Sequence, residues 1–211
     1  MAIPRTSSSV PLPPRLPEHG SVVPTLRGHQ LRFVPYADAV THDKSPKPDG
    51  TAAERPLAVF DLDGTLADTA HRQHFLERRP RDWAAFFAAA PHDPPLPRGV
   101  RLALDSAEEC DLVYLTGRPE RCRVDTEAWL AAQGLPAGPI RMRPDHDRRP
   151  ARRTKLEALR RLARDREIRM LVDDDELVCV DAERAGFAVV RARWGSASAE
   201  LRDAQERDGR T

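Results

Sequence analysis

Val59-Phe-Asp-Leu-Asp-Gly-Thr-Leu66 joins an apolar run to two carboxylates two residues apart and then to a glycine. The run Leu57-Ala-Val-Phe60 is short and continuous and stops at Asp61, as a fully buried strand does. In extended chain, residues i and i+2 project to the same side, so Asp61 and Asp63 can face one pocket. Gly64 and Thr65 allow a tight exit turn. One carboxylate can attack a phosphorus atom and form an acyl phosphate. The other can protonate the leaving oxygen and later activate water. A plain turn is the competing reading, since Asp and Gly are both frequent in turns. For this segment in isolation the two readings stand about even.

Outward from this segment the chain alternates. Asp68 to Arg79 and Arg81 to Ala90 read as two short helices, and Pro97 to Cys110 as a third. Leu112-Val-Tyr-Leu115 reads as a second strand, followed by a helix from Pro119 to Gln133 that Gly134 stops. Ile140 to Met142 is a weak third strand. Thr154 to Arg166 is a helix with Leu156, Leu159 and Leu162 on one face, and Ile168-Arg-Met-Leu-Val172 is a fourth strand ending in Asp173-Asp-Asp175. A helix over Leu177 to Ala185 and a fifth strand, Phe187-Ala-Val-Val190, complete the series. Such alternation implies an α/β fold of parallel β-α-β units with helices on both faces of the sheet. Ligands of such sheets bind beyond the carboxyl ends of the strands.

Composition narrows the class. The 211 residues carry a net charge of +1, which implies no overall attraction to nucleic acid or membrane. Of the basic residues 31 are Arg and 3 are Lys, and only Lys155 lies outside the Pro-rich N-terminal stretch. Cys110, Cys122 and Cys179 show no paired spacing, so the expectation is a reducing cytoplasm without disulfides or zinc. No apolar run approaches the ~20 residues of a membrane span, and Met1 to Ser9 lacks the apolar stretch of a secretory signal. Residues 1–55 read as a Pro-rich, largely disordered arm and linker, with Leu31-Arg-Phe-Val34 a possible brief strand. Residues 56–194 read as the globular domain and 195–211 as a charged tail.

Three further groups sit at strand ends. Thr116-Gly117-Arg118 offers a hydroxyl, a backbone N–H and a guanidinium, the parts of a phosphate cradle. It reads equally as a strand-to-helix turn, and the two readings are compatible because helix N-termini favour anions. Lys155 alone reads as a solvated surface lysine. Asp173-Asp174-Asp175 is a run of like charges. At about 4 Å and an effective dielectric near 20, each like pair costs roughly 4 kcal/mol. A hard cation relieves that repulsion, and magnesium suits phosphate chemistry; an exposed acidic turn screened by water is the alternative. Charge arithmetic favours the metal. Asp61, Asp173 and Asp174 carry −3 and a phosphate monoester about −2, while Lys155 and Arg118 return +2, so a divalent ion is required before substrate meets nucleophile.

Together these residues resemble the haloacid dehalogenase-like (HAD) superfamily over about 56–194. Phe60-Asp-Leu-Asp-Gly-Thr-Leu66 matches its first motif, and Thr116, Lys155 and Asp173-Asp174 match the second, third and fourth. The resemblance implies a three-layer Rossmann-like sheet in the order 5-4-1-2-3, without a large cap domain. It implies Asp61 as nucleophile and Asp63 as general acid/base. Mg2+ would be held by Asp61, the Asp63 carbonyl, Asp173 and Asp174, and the substrate phosphate by Thr116 and Lys155.

A narrower resemblance is to the 3′-phosphatase domain of polynucleotide kinase–phosphatases. It rests on Asp63 to Arg72, Asp82-Trp83, Thr116-Gly-Arg118, Trp129-Leu130, Met142-Arg143-Pro144 and Asp173-Asp174. It implies that Arg72 and Arg118 contact the substrate phosphate. Thr116 in place of serine and Asp175 after the acidic pair depart from that pattern. No GxxxxGK[ST] loop accompanies it, so no kinase activity is expected.

The expected function is Mg-dependent hydrolysis of a phosphomonoester through an aspartyl-phosphate, on 3′-phosphate ends of nucleic acid or on nucleotides. A small-molecule nucleotide or sugar phosphate phosphatase is the alternative. A non-catalytic binding module, with residues 1–55 docking a partner protein, is the reading from another class; two retained aspartates argue against it. His71, His74 and Asp145-His-Asp147 read as ordinary surface or loop residues. The six arginines from Arg141 to Arg153 suit either a nucleic-acid backbone or a solvated loop. Trp83, Phe86 and Phe87 read as core.

Overall fold

A computed structural model describes residues 54–77, 79–195 and 199–207, together with the antiparallel pair Thr25–Leu26 and Leu31–Arg32. The rest of the N-terminal arm lies outside the described residues. The chain divides into two units, Met1–Gly50 and Thr51–Thr211. All of the elements below belong to the second.

Five parallel strands form its sheet. They are β1 (Leu57–Phe60), β2 (Asp111–Pro119), β3 (Ile140–Arg143), β4 (Ile168–Asp173) and β5 (Val189–Arg191). Their order is β3-β2-β1-β4-β5, the expected order read from the opposite edge. Strand alternation divides the core into two layers. Ala58 and Phe60 of β1, with Leu112 and Tyr114 of β2, pack with Ala103, Trp129 and Leu130. These come from helices α3 (Pro97–Ser106) and α4 (Arg123–Ala132). Leu57, Val59, Val113 and Leu115 face the other way, onto Leu159 of α5 (Ala151–Leu162) and Val178 of α6 (Glu176–Arg184). Both faces of β1 are therefore covered, which is why its sequence is continuously apolar rather than alternating.

Between β1 and β2 the chain makes a single helical turn, Ala70–Arg72, then α1 (His74–Glu77), α2 (Trp83–Ala88) and α3. No large cap is inserted there. The helix expected over Asp68 to Arg79 is thus broken into two short pieces. Asp82 caps α2 by accepting from the Ala85 N–H at 2.9 Å, which fixes where that helix starts. The helix expected to begin at Pro119 begins as α4 at Arg123, because β2 runs on through Thr116-Gly-Arg118-Pro119. No helix among the described residues is long and apolar enough to cross a membrane.

Part of the segment read as a charged tail is helical. In α7 (Ala199–Arg207), Leu201 and Ala204 are buried against Leu76, Phe86 and Phe87 of α1 and α2. Trp83, Phe86 and Phe87 are core, as their sequence suggests. Arg81 holds Asp203 at 2.6 Å and Arg152 holds Glu206 at 3.1 Å, so α7 is tied both to the α2 side and to the first turn of α5. Leu201→Ala should lower the free energy of unfolding by about 2–5 kcal/mol, read by urea denaturation. A change below about 0.5 kcal/mol would mean that α7 does not pack as described.

Candidate active site

The sheet brings four separated segments to one end. Asp61 follows β1, and its N–H donates to the Val172 carbonyl at 2.9 Å, so the chain is still extended as it leaves the sheet. The Leu62 carbonyl then accepts from the N–H groups of Thr65, Leu66 and Ala67, which makes a tight turn through Gly64. Gly64 has φ +86°, and a Cβ there would lie 2.3 Å from Asp174 Oδ2. Only glycine permits this turn beside the acidic run.

Asp61, Asp173 and Asp174 form the first half of the site, around Lys155. Lys155 Nζ donates to Asp61 Oδ1 at 2.8 Å and to Asp173 Oδ2 at 2.7 Å. The lysine is buried on α5 rather than solvated, and despite that burial the two carboxylates raise its pKa. Asp61 is pushed up to about 7 by burial, with Asp173 adding to the rise and Lys155 opposing it. Asp174 is raised well above the usual carboxylate range by burial and by Asp61 and Asp173. One oxygen from each of Asp61, Asp173 and Asp174 lies within 4.8 Å of the others. Asp174 Oδ1 is buried and has no hydrogen-bond partner.

These features fit a hard divalent cation. The donors are carboxylate oxygens, one buried oxygen lacks a partner, and the missing side chain of Gly64 leaves Asp174 its place. Asp175 plays another part. It accepts from the Leu177 and Val178 N–H groups at 2.8 and 3.3 Å and caps α6. That explains the third acid in the run.

Asp63 belongs to a second, self-neutralising half. Arg72 Nη2 donates to Asp63 Oδ1 at 2.8 Å, and Arg118 Nε and Nη2 donate to the same oxygen at 2.9 and 2.5 Å. Both guanidiniums also bind Asp93. Arg72 reaches its two oxygens at 2.7 Å each, and Arg118 reaches Oδ2 at 2.7 Å. Burial opposes ionisation of Asp63, but Arg118 and Arg72 outweigh it and lower its pKa. Asp63 Oδ2 and Arg72 Nη1 are buried without partners. All three N–H donors therefore converge on one oxygen of Asp63 and leave the other unbonded.

Asp93 is the residue that sequence reasoning missed. It is fully buried, its carbonyl accepts from the Trp129 indole N–H at 2.8 Å, and His71 Nε2 lies 2.8 Å from its Oδ1. His71 thus touches the site through Asp93, while among the described residues His74 bonds to the His71 carbonyl at 3.0 Å. In His92-Asp93-Pro94 no catalytic spacing marks Asp93; the only signal is an acid between prolines in an otherwise apolar stretch.

The quartet changes the charge count. Arg118 is neutralised within it and does not offset the acids around Lys155. Asp61, Asp173 and Asp174 then carry −3 against +1 from Lys155. The remaining −2 is what a divalent cation would neutralise.

Of the residues expected to cradle phosphate, Thr116 and Gly117 lie in β2. Thr116 is buried and its Oγ1 accepts from the Arg118 N–H at 3.1 Å. Thr116 and Lys155 are among the residues lining a cleft of about 490 Å³. Gly117 lines a small neighbouring cavity. Asp145 and Asp147 pair with Arg121 and Arg149 at 2.7 and 2.6 Å and form no metal cluster among the described residues.

The family described as the polynucleotide kinase PNKP phosphatase domain matches residues 56–196. No curated protein matches the chain. A chain of the Pnkp1/Rnl/Hen1 RNA repair complex superposes with a TM-score of 0.58 at 19% identity, covering 80% of this chain and 51% of that one. A second structure of the Pnkp1/Rnl/Hen1 complex gives 0.55 at 20% identity, covering 82% and 57%. The class C acid phosphatase from Bacillus anthracis gives 0.51 at 16% identity, covering 72% and 69%. At these identities the likeness is one of fold. The chain spans about half the length of the Pnkp1/Rnl/Hen1 chains that it matches.

Proposed function

Since the chain belongs to the polynucleotide kinase PNKP phosphatase-domain family of HAD hydrolases, we propose that it removes the terminal phosphate from 3′-phosphorylated nucleic acid or nucleotides, with Asp61 as nucleophile. The observation that carries this reading is the division between two neighbouring carboxylates. Asp61 shares Lys155 with the metal-binding acids, whereas Asp63 is oriented by two arginines with one oxygen left unbonded.

In the first step an Asp61 oxygen forms a bond to phosphorus and the bond to the sugar oxygen breaks. The proton that this oxygen needs comes from Asp63 Oδ2. Water then attacks the aspartyl-phosphate, gives a proton to Asp63 and releases inorganic phosphate from Asp61. Arg72, Arg118, the Thr116 hydroxyl, the Gly117 N–H and Lys155 would bind the transferring phosphate. Its negative charge draws Arg72 and Arg118 away from Asp63 and restores the affinity of Asp63 for a proton. Mg2+ would be held by Asp61, Asp173, Asp174 and the Asp63 carbonyl, and would supply the charge neutralisation that lets a dianion approach three carboxylates. A hydrolase with three buried free cysteines fits a reducing compartment such as the cytoplasm.

A small phosphate ester is the competing substrate class, favoured by the burial of Asp61 and Asp63 at 2% and 3% exposure. Assaying a 3′-phosphorylated oligonucleotide beside nucleoside monophosphates and sugar phosphates, with and without Mg2+, separates the two. Turnover of the oligonucleotide that stops with chelator and returns with Mg2+ is expected. Release of phosphate from the small esters alone would refute the 3′-end reading.

A further inference from the structure

Arg143 ends the edge strand β3 and pairs in register with Pro119 of β2, next to Arg118. Three arginines are buried among the described residues: Arg72, Arg118 and Arg143. The first two make short ionic bonds to carboxylates; Arg143 does not. Its Nη1 donates to the Arg149 carbonyl at 2.7 Å, its Nη2 reaches Thr154 Oγ1 only at 3.4 Å, and its Nε is buried with no partner. The carboxylate it pairs with, Asp147 Oδ1, is 4.0 Å away. Asp147 is itself held by Arg149 at 2.6 Å. Burial pushes the Arg143 pKa down, the direction expected of a guanidinium lacking a close counterion. A buried cation with a spare donor is destabilising unless an anion completes it.

The surroundings say where that anion would lie. Arg143 lines the same cleft as Thr116 and Lys155. Thr154, its long-range partner, precedes Lys155 directly. Arg143 also lines the small cavity that contains Gly117. Six basic and four acidic side chains line the main cleft, a net charge of +2. The cleft therefore continues the phosphate cradle along α5 and the sheet edge, with an undercompensated guanidinium at its margin.

We propose that Arg143 binds a second phosphate, the internucleotide phosphodiester next to the 3′-terminal phosphate of a polynucleotide strand. This rests on the 3′-end reading above and makes Arg143 the residue that distinguishes a strand from a single nucleotide. The ligand is a singly charged phosphodiester, for which a forked guanidinium is the matching donor.

The test compares kcat and KM for a 3′-phosphorylated dinucleotide and a nucleoside 3′-monophosphate in wild type, R143Q and R143K. The wild type should prefer the dinucleotide. R143Q should lose about tenfold to a hundredfold more kcat/KM on the dinucleotide than on the mononucleotide, mainly through KM, as expected for one charge-assisted hydrogen bond. R143K should recover part of that loss as a point charge. Equal losses on both substrates, or a wild type without preference, would overturn the second site and leave the phosphatase reading standing. If R143Q does not fold, R143K carries the test and must show the same substrate-dependent loss at smaller size. A wild type inactive on both 3′-phosphates overturns the 3′-end reading instead. Binding of a 3′-hydroxyl dinucleotide, followed by fluorescence anisotropy, then decides the cleft: equal Kd in wild type and R143Q overturns the proposal, and weaker binding by R143Q supports it.

Discussion

Asp61→Asn will reduce phosphate release by about 10⁵-fold or more while leaving the fold in place. The amide matches the carboxylate in size but cannot form the acyl phosphate, and loss of a covalent nucleophile is among the largest single-residue effects in catalysis. The fold survives because Lys155 keeps Asp173 at 2.7 Å when Asp61 is neutral. The change also removes one of three clustered negative charges, so the metal-free variant should melt at the wild-type temperature or above it. Single-turnover phosphate release and a thermal melt with chelator measure both effects. Residual activity within tenfold of wild type would sink Asp61 as nucleophile.

Asp93→Asn carries the largest expected effect on stability. It leaves the Arg72 and Arg118 guanidiniums, both buried, facing the single charge of Asp63. Breaking a buried ionic network by removing one partner costs about 3–5 kcal/mol, because the remaining charges lose their compensation without regaining water. Activity should fall as well, since Arg72 and Arg118 would turn wholly onto Asp63 and hold its proton-accepting oxygen less well placed. Equilibrium urea unfolding gives the first quantity and kcat the second. A loss below about 1 kcal/mol would mean that Arg72 and Arg118 are stabilised by Asp63 alone.

The contrast between Asp61 and Asp93 shows what a sequence exposes. Asp61 is legible because the chemistry there is local: a buried strand, two acids at period two and a glycine turn all fall within eight residues. β1, the first half of β2 and β4 are legible for the same reason, since each carries a short apolar run, whereas β3, Ile140-Arg-Met-Arg143, gives only a weak signal. Lys155 and Asp173-Asp174 are lone polar signals, but the strand pattern places them at the same end of the sheet. Asp93 has no such frame. Its partners lie 21 and 25 residues away, and nothing in Pro91-His-Asp-Pro94 indicates that two arginines converge on it. The extension of β2 through Gly117 is hidden because Thr-Gly-Arg-Pro reads as a turn. The helix α7 is hidden because Leu201 and Ala204, the buried side chains described in it, stand among charged neighbours. Asp175 is the reverse case: the third acid of the run Asp173-Asp-Asp175 looks like its neighbours in sequence but is held by the helix it caps.

The position of α7 in the chain has a consequence for the order of assembly during translation. Phe86 lies under the Arg72 guanidinium, 4.1 Å from ring centroid to the guanidinium carbon, and packs in the cluster that Leu201 and Ala204 complete. Every strand of the sheet has left the ribosome before those two residues do. A nascent chain can therefore form the sheet and present Asp61, Lys155 and Asp173 while the platform beneath Arg72 is still open on one side. Order of emergence therefore predicts that the acids gather before the cluster beneath Arg72 is complete, and that ribosome-bound chains become hydrolytically active only once Leu201 and Ala204 have emerged.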